Sequence, residues 1–176
     1  LPQKSLKRNQ DHACFRRRSY FFLLRRKINL LGKIMKWKRE ELKAWTKIPT
    51  RWMDDDIYGH VNNVVYYSYF DTAVNGNLIR ATGIDIRSLE AIGIVVESGC
   101  TFHKELSFPE VIEAGLLVEK IGNSSVTYRV GLFKEEDPEP AASGHFVHVY
   151  VDHETRSPIR VPESIREALK PILLES

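Results

Sequence analysis

Asp54-Asp55-Asp56-Ile57-Tyr58-Gly59-His60-Val61-Asn62-Asn63-Val64-Val65-Tyr66 places three carboxylates on a polar run, then a glycine turn, then the opening of an apolar-periodic segment. Beyond it, Tyr66, Phe70, Ala73, Val74, Leu78 and Ala81 recur at spacings of three and four, which predicts a helix with one buried face. Asn62 or Asn63 can cap its start, because a short side-chain oxygen accepts an N–H of the first turn, and Gly83 is placed to end it. On propensity alone Val64-Val65-Tyr66-Tyr67 would also suit a strand, so the helix rests on periodicity and capping. Gly76 costs about 1 kcal/mol against alanine inside a helix and reads as a point of close packing.

Upstream, residues 44–53 form a short strand-like stretch broken by Pro49. Downstream the period changes to two. Residues 94–104 and 111–121 read as strands, Gly122-Asn123-Ser124-Ser125 as a turn, and Val126, Tyr128, Val130 and Leu132 alternate along a third strand. Residues 135–140 are an acidic, proline-bearing loop, after which Val147, Val149 and Val151 line one face of a fourth strand. Residues 163–169 read as a short terminal helix with Pro162 at its entrance. One helix followed by hairpin-linked strands predicts an α+β fold, its antiparallel sheet wrapped against the helix.

A chain of 176 residues suits one domain with a real core, and 43% hydrophobic with 28% charged residues is a globular composition. No apolar run approaches the roughly 18 residues of a membrane span. Cys14 and Cys100 have no paired spacing, which argues against a disulfide framework or zinc ribbon and fits a reducing compartment. The net charge of +3 is split unevenly: residues 1–34 hold ten Lys/Arg and one acid, Asp11, whereas residues 35–176 hold sixteen Lys/Arg and twenty-two acids. The acidic body, residues 35–176, is not expected to bind nucleic acid. Residues 1–34 read as a transit peptide, a basic arm that folds on a partner, or translated leader ahead of Met35, the first methionine. The expected organisation is therefore a basic extension over 1–34 and a single domain over 35–176. A cytoplasmic location is expected, or an organelle if the extension is a transit peptide.

The run at 54–66 also carries the chemistry. A helix N-terminus presents free N–H groups and a positive dipole end, which polarise a carbonyl and hold the oxyanion formed on attack. A nearby carboxylate can attack directly or activate water. Three adjacent aspartates also suit a solvated turn. A calcium loop fails, because with Asp54 first Gly59 falls at six but Val65 stands where the bidentate Glu is required. No metal is expected: His60 lacks a second ligand at metal-binding spacing, and His145 and His148, three apart on a strand, point to opposite faces. No GxSxG occurs, and Cys100 reads as a packed apolar residue. Tyr66, Tyr67 and Tyr69 either line an acyl pocket or pack the core.

Read as Asp-x-Asp-x-x-Gly-His-Val-Asn-Asn-x-x-Tyr, Asp54 to Tyr66 resembles the opening motif of 4-hydroxybenzoyl-CoA thioesterase-like acyl-CoA thioesterases of the hotdog fold. The resemblance continues through Phe70-Asp71, Val95-Val96-Glu97-Ser98, residues 122–128, Val149-Tyr150-Val151-Asp152 and residues 159–162, and covers none of 1–34. It implies a long central helix wrapped by a five- to six-stranded antiparallel sheet. It also implies a homodimer or homotetramer joined through sheet edges, with active sites between subunits. Catalysis would fall to Asp56, with the Asn63 N–H orienting the thioester carbonyl. Asp54 and His60 would shape the loop and support Asp56 by hydrogen bonding, and Gly59, Tyr66, Ser124 and Ser125 would complete the substrate-binding set. Asp55 departs from the commoner uncharged residue at its place. The family's aromatic-acyl member carries basic residues at the turn where coenzyme A phosphates lie; here Gly-Asn-Ser-Ser stands instead, with Arg129 or Lys104 as possible substitutes. The expected activity is hydrolysis of an acyl-CoA to acid and coenzyme A without a cofactor, Asp56 acting as nucleophile or general base. Two alternatives stay open: a non-catalytic acyl-CoA-binding module, and a thioesterase acting on acyl-carrier protein.

Overall fold

The computed structural model describes residues 36–175; the readings made for residues 1–34 lie outside them. Five strands, β1 (Ala44–Pro49), β2 (Ala91–Phe102), β3 (Val111–Ile121), β4 (Ser125–Lys134) and β5 (Ala142–Asp152), form one antiparallel sheet in the order β1-β3-β4-β5-β2. A 20-residue helix, α1 (Asn63–Thr82), packs on one face, and a short helix, α2 (Glu163–Leu169), follows the sheet. This is the hotdog architecture, with five strands.

Asn62 is the cap: its side chain accepts the Val64 N–H, and at the far end Gly83 takes the left-handed conformation (φ 66°) while its N–H reaches Ile79 O. Tyr66, Tyr69, Phe70, Ala73, Val74 and Leu78 form the buried stripe. They meet the inward side chains of the sheet: Ile112, Ala114, Leu116 and Val118 from β3, and Val126, Tyr128, Val130 and Leu132 from β4. Ala81 falls outside the stripe and is exposed, while Tyr69, one turn after Tyr66, joins it. Gly76 is closely packed, against the Arg80 side chain. A Cβ there would lie 3.2 Å from Arg80 Nη1, so the glycine makes room for an arginine that reaches Thr46 Oγ1 at 2.5 Å.

β1 ends at Pro49, and Trp52–Asp54 coil into a 3-10 turn rather than continuing the strand. On β5 it is Phe146, His148 and Tyr150 that are buried on the side facing α1, whereas Val147 and Val149 lie on the opposite side. Burial pushes the His148 imidazole down to about 4. On the outer face Leu42, Leu117, Phe133 and Trp37 form a second small cluster, with the Arg39 guanidinium over Trp45 and Phe133.

Pro49 pairs with Val111 at the start of β3, so the aspartate run begins at that end of the sheet. The Gly122–Ser125 turn lies beyond Ile121, at the other end of an 11-residue strand. At the usual rise per residue the two ends stand roughly 35 Å apart. The strand order leaves β2 as a bare edge, with Ile94, Val95 and Val96 exposed.

Candidate active site

The run from Asp54 to Asn62 folds back on itself. Asn62 N–H donates to Asp54 O (2.8 Å), Asp55 and Val61 form an antiparallel bridge, and Asp56 N–H donates to His60 O (2.9 Å). The bend is closed by Gly59, at φ 78°, whose N–H donates to Asp56 O at 3.0 Å. A side chain at that φ would be strained, which explains the glycine on conformational grounds. The neighbouring 103–110 loop closes over this hairpin: Val61 N–H donates to Leu106 O (2.7 Å), and His60 Nε2 lies 3.0 Å from a Glu105 carboxylate oxygen.

The three aspartates have different surroundings. Asp54 is 1% exposed; it accepts the Arg51 N–H (2.7 Å), Arg51 Nε (3.0 Å) and Nη2 (2.8 Å), and the Tyr69 hydroxyl (2.7 Å). Burial alone would raise its carboxyl, but these hydrogen bonds and the guanidinium charge outweigh burial and hold it below the ordinary carboxylate value. Burial, reinforced by Asp54, raises the Tyr69 hydroxyl far above its usual range. Asp55 accepts the Phe108 N–H with both oxygens (3.1 and 3.2 Å). Asp56 accepts only the Tyr58 N–H, through Oδ1 at 2.8 Å, so among the described residues its Oδ2 has no donor.

The helix start has a similar vacancy. Val64 N–H goes to Asn62 Oδ1 (3.2 Å) and Val65 N–H to Asn62 O (2.9 Å), which leaves the Asn63 N–H without an acceptor among the described residues. Asp56 and the Asn63 N–H therefore belong to one cross-braced unit, and each keeps an unused hydrogen-bonding position. In the same stretch of chain Trp52 (81% exposed), Met53 (76%), Ile57 (93%), Tyr58 (78%) and Val64 (71%) present open apolar surface.

The other candidate residues are placed differently. Asp54 is buried and its oxygens are occupied, so it braces the loop from Tyr69 on α1 and does not hydrogen-bond Asp56. His60 supports Asp56 through its main-chain oxygen; its ring faces Glu105. Tyr66 is a core residue, 3% exposed, packed edge-on against Phe102, with its hydroxyl raised to about 12 by burial. Of the three tyrosines, Tyr67 alone reaches the surface, stacked on Phe146 at 6.4 Å. Ser124 and Ser125 stand at the far end of the sheet from Asp56 within one chain. The cations suggested as substitutes are engaged: Arg129 with Glu119, and Lys104 with Asp137 at 2.6 Å. Cys100 packs against the core, and burial raises its thiol to about 12, which leaves it a poor nucleophile. His145 meets Glu97 on one face of the sheet while His148 is buried on the other. The sequence reading missed Phe108 and Glu105, and no spacing rule marks a contact between loops some 50 residues apart.

Residues 49–169 match the model of the Thioesterase-like superfamily, and the chain belongs to that family. Fold and family together define the class, a thioester hydrolase. Among solved structures, the PA5185 protein of Pseudomonas aeruginosa PAO1 is 46% identical, with a TM-score of 0.77 over 81% of this chain and 99% of that one. The PA2801 protein of the same species, described as a candidate thioesterase, is 34% identical, with a TM-score of 0.67 over 72% of this chain and 98% of that one. The DHNA-CoA thioesterase of Staphylococcus aureus, at 24% identity, shares the fold with a TM-score of 0.64 over 71% of this chain and 87% of its own. No helix among the described residues is long and apolar enough to cross a membrane.

Proposed function

We propose that this thioester hydrolase acts on acyl-CoA, with Asp56 as the working carboxylate and the Asn63 N–H as the donor to the thioester carbonyl oxygen. The observation that carries the assignment is the division of labour along 54–56: the oxygens of Asp54 and Asp55 are occupied, and Asp56 keeps one free. In one route Asp56 attacks the carbonyl carbon, the C–S bond breaks, the thiolate leaves, and water cleaves the resulting anhydride. In the other Asp56 takes a proton from water, whose oxygen attacks instead. Both develop negative charge on the carbonyl oxygen, where a fixed N–H is most effective.

The working form in this proposal is a homodimer. β2 is an open edge with exposed Val95 and Val96, and the loop around Asp56 exposes a broad apolar rim. Edges paired about a two-fold axis normal to the sheet run antiparallel. Such pairing carries the Gly122–Ser125 end of one copy to the Asp56 end of the other, so a long substrate could reach both. The S. aureus relative's CoA thioester substrate supports coenzyme A as the carrier.

The test is free-thiol release from a panel of acyl-CoA and acyl-carrier-protein thioesters by the full chain and by Asp56→Asn. Hydrolysis that drops by about a hundredfold or more in the variant, the size of a lost acid–base group, is the expected result. A variant near wild-type rates removes Asp56 from the mechanism. Acyl-CoA binding without hydrolysis would make the chain a binding module instead.

A further inference from the structure

We propose that Asp55 is a positioning residue for the reaction: by holding the Phe108 N–H it locks the 103–110 loop onto the aspartate hairpin and fixes the direction of Asp56. The inference rests on the reading of Asp56 given above. Both Asp55 oxygens face one main-chain donor, at 3.1 and 3.2 Å, across 53 residues of sequence. The loop they grip is itself stiff: Glu110 accepts the Ser107 N–H (2.9 Å), Glu110 N–H returns to Ser107 O (3.0 Å), and Thr50 Oγ1 donates to Glu110 O (2.8 Å). Two successive N–H groups, of Ser107 and Phe108, are thus taken by carboxylates, one from inside the loop and one from the hairpin.

The seam continues on the other arm of the hairpin, where Val61 N–H reaches Leu106 O and the His60 ring meets Glu105. Asp56 lies between these ties, bonded through its own N–H to His60 O. Without the Asp55 tie, the arm bearing Asp56 would be held by the hairpin alone. The charge of Asp55 is not what the tie requires. An acceptor oxygen at the same place is enough, and asparagine supplies one.

The test compares Asp55→Ala and Asp55→Asn with the unmutated chain, reading kcat and KM on the best thioester together with hydrogen exchange at the Phe108 amide. Asp55→Ala should lower kcat about tenfold, the order of one lost hydrogen bond. KM should stay within about twofold, and Phe108 exchange should speed up. Asp55→Asn should retain most of the turnover and the slow exchange. Three results would each overturn the proposal: an Asn variant as impaired as the Ala variant, a rise in KM with kcat unchanged, or unaltered Phe108 exchange in Asp55→Ala. Failure of the underlying reading is seen separately, as an unmutated chain that hydrolyses no thioester or an Asp56→Asn variant that keeps its turnover.

Discussion

The hairpin that carries Asp54, Asp55 and Asp56 and the turn that carries Ser124 and Ser125 stand at opposite ends of β3, and they are stabilised in different ways. At the hairpin, main-chain bonds fold the loop and side chains do the remaining bracing: Asp54 is held by Arg51 and Tyr69, and Asp55 holds Phe108. At the turn the main chain does it. Gly122 N–H goes to Ser125 O, Tyr150 N–H to Ser124 O and Val161 N–H to Asn123 O, each within 2.9 Å, and Arg166 closes on Gly122 O. The hairpin therefore has rigid carboxylates with one oxygen to spare, which suits chemistry. The turn pairs a satisfied backbone with two half-buried serines.

The sharpest way to break this contrast is to remove the donor at the hairpin end. Asn63 is the first helical residue, a position that tolerates proline, and Asn62 at φ −59°, ψ 137° already has the extended conformation that precedes proline. Asn63→Pro should therefore fold with α1 intact by circular dichroism yet lose about a hundredfold or more in kcat, the scale of one oxyanion donor. A proline variant that turns over normally would dismiss the Asn63 N–H. The next effect tests whether the two ends must meet. Val96 is 56% exposed on the bare β2 edge, and Val96→Asp sets like charges against each other in a two-fold strand pair. Light scattering should report a monomer, and turnover should fall by about tenfold. A monomer with full activity would mean that one chain's hairpin works alone.

A smaller effect tests the bracing itself. The Asp54 carboxyl is held below 3.8 in the folded chain, so its contribution is present above the ordinary carboxylate value and is lost as pH falls through the folded value. Asp54→Asn should cost on the order of 2 kcal/mol at pH 7, several degrees in the thermal midpoint. The gap from the unmutated chain should narrow steadily below about pH 4. A gap that stays constant with pH would mean that the ion pair contributes nothing.

How much of this could be read in advance follows the range of each interaction. The cap at Asn62, the left-handed Gly59 and Gly83, and the Tyr66–Leu78 stripe depend on neighbours within a few residues, and the pattern of the chain carries them. The close packing expected at Gly76 is there, but its partner, the Arg80 side chain, is not something the sequence names. The placement of Ser124 and Ser125 was out of reach for another reason. Alternation identifies strands, but it does not say that the end of β1 pairs with the start of β3, which sets the aspartate run at the end of the sheet opposite the turn. The hold of Asp55 on Phe108 depends on that same non-local pairing, and so does the distance between the two ends of the sheet.

The smallest expected effect concerns what the turn end recognises. With Arg129 and Lys104 committed to carboxylates and Arg166 held on Gly122 O, two exposed cations near the turn have no ion pair among the described residues, Lys120 and, on the segment that contacts the turn, Arg160. Arg160 precedes Val161, whose N–H holds Asn123 O at 2.9 Å, so the backbone of the two segments is in contact there. An exposed guanidinium is weakly coupled to its own fold, and its removal should leave stability unchanged within about 0.5 kcal/mol. If the turn end receives the nucleotide phosphates of coenzyme A, Arg160→Ala should raise KM for an acyl-CoA severalfold at unchanged kcat, the pattern of lost ground-state binding. The rise should shrink with added salt. The same acyl group on pantetheine alone lacks the nucleotide and should show no change in KM. An equal rise on both substrates would place Arg160 against the pantetheine arm. No change on either would remove Arg160 from substrate binding.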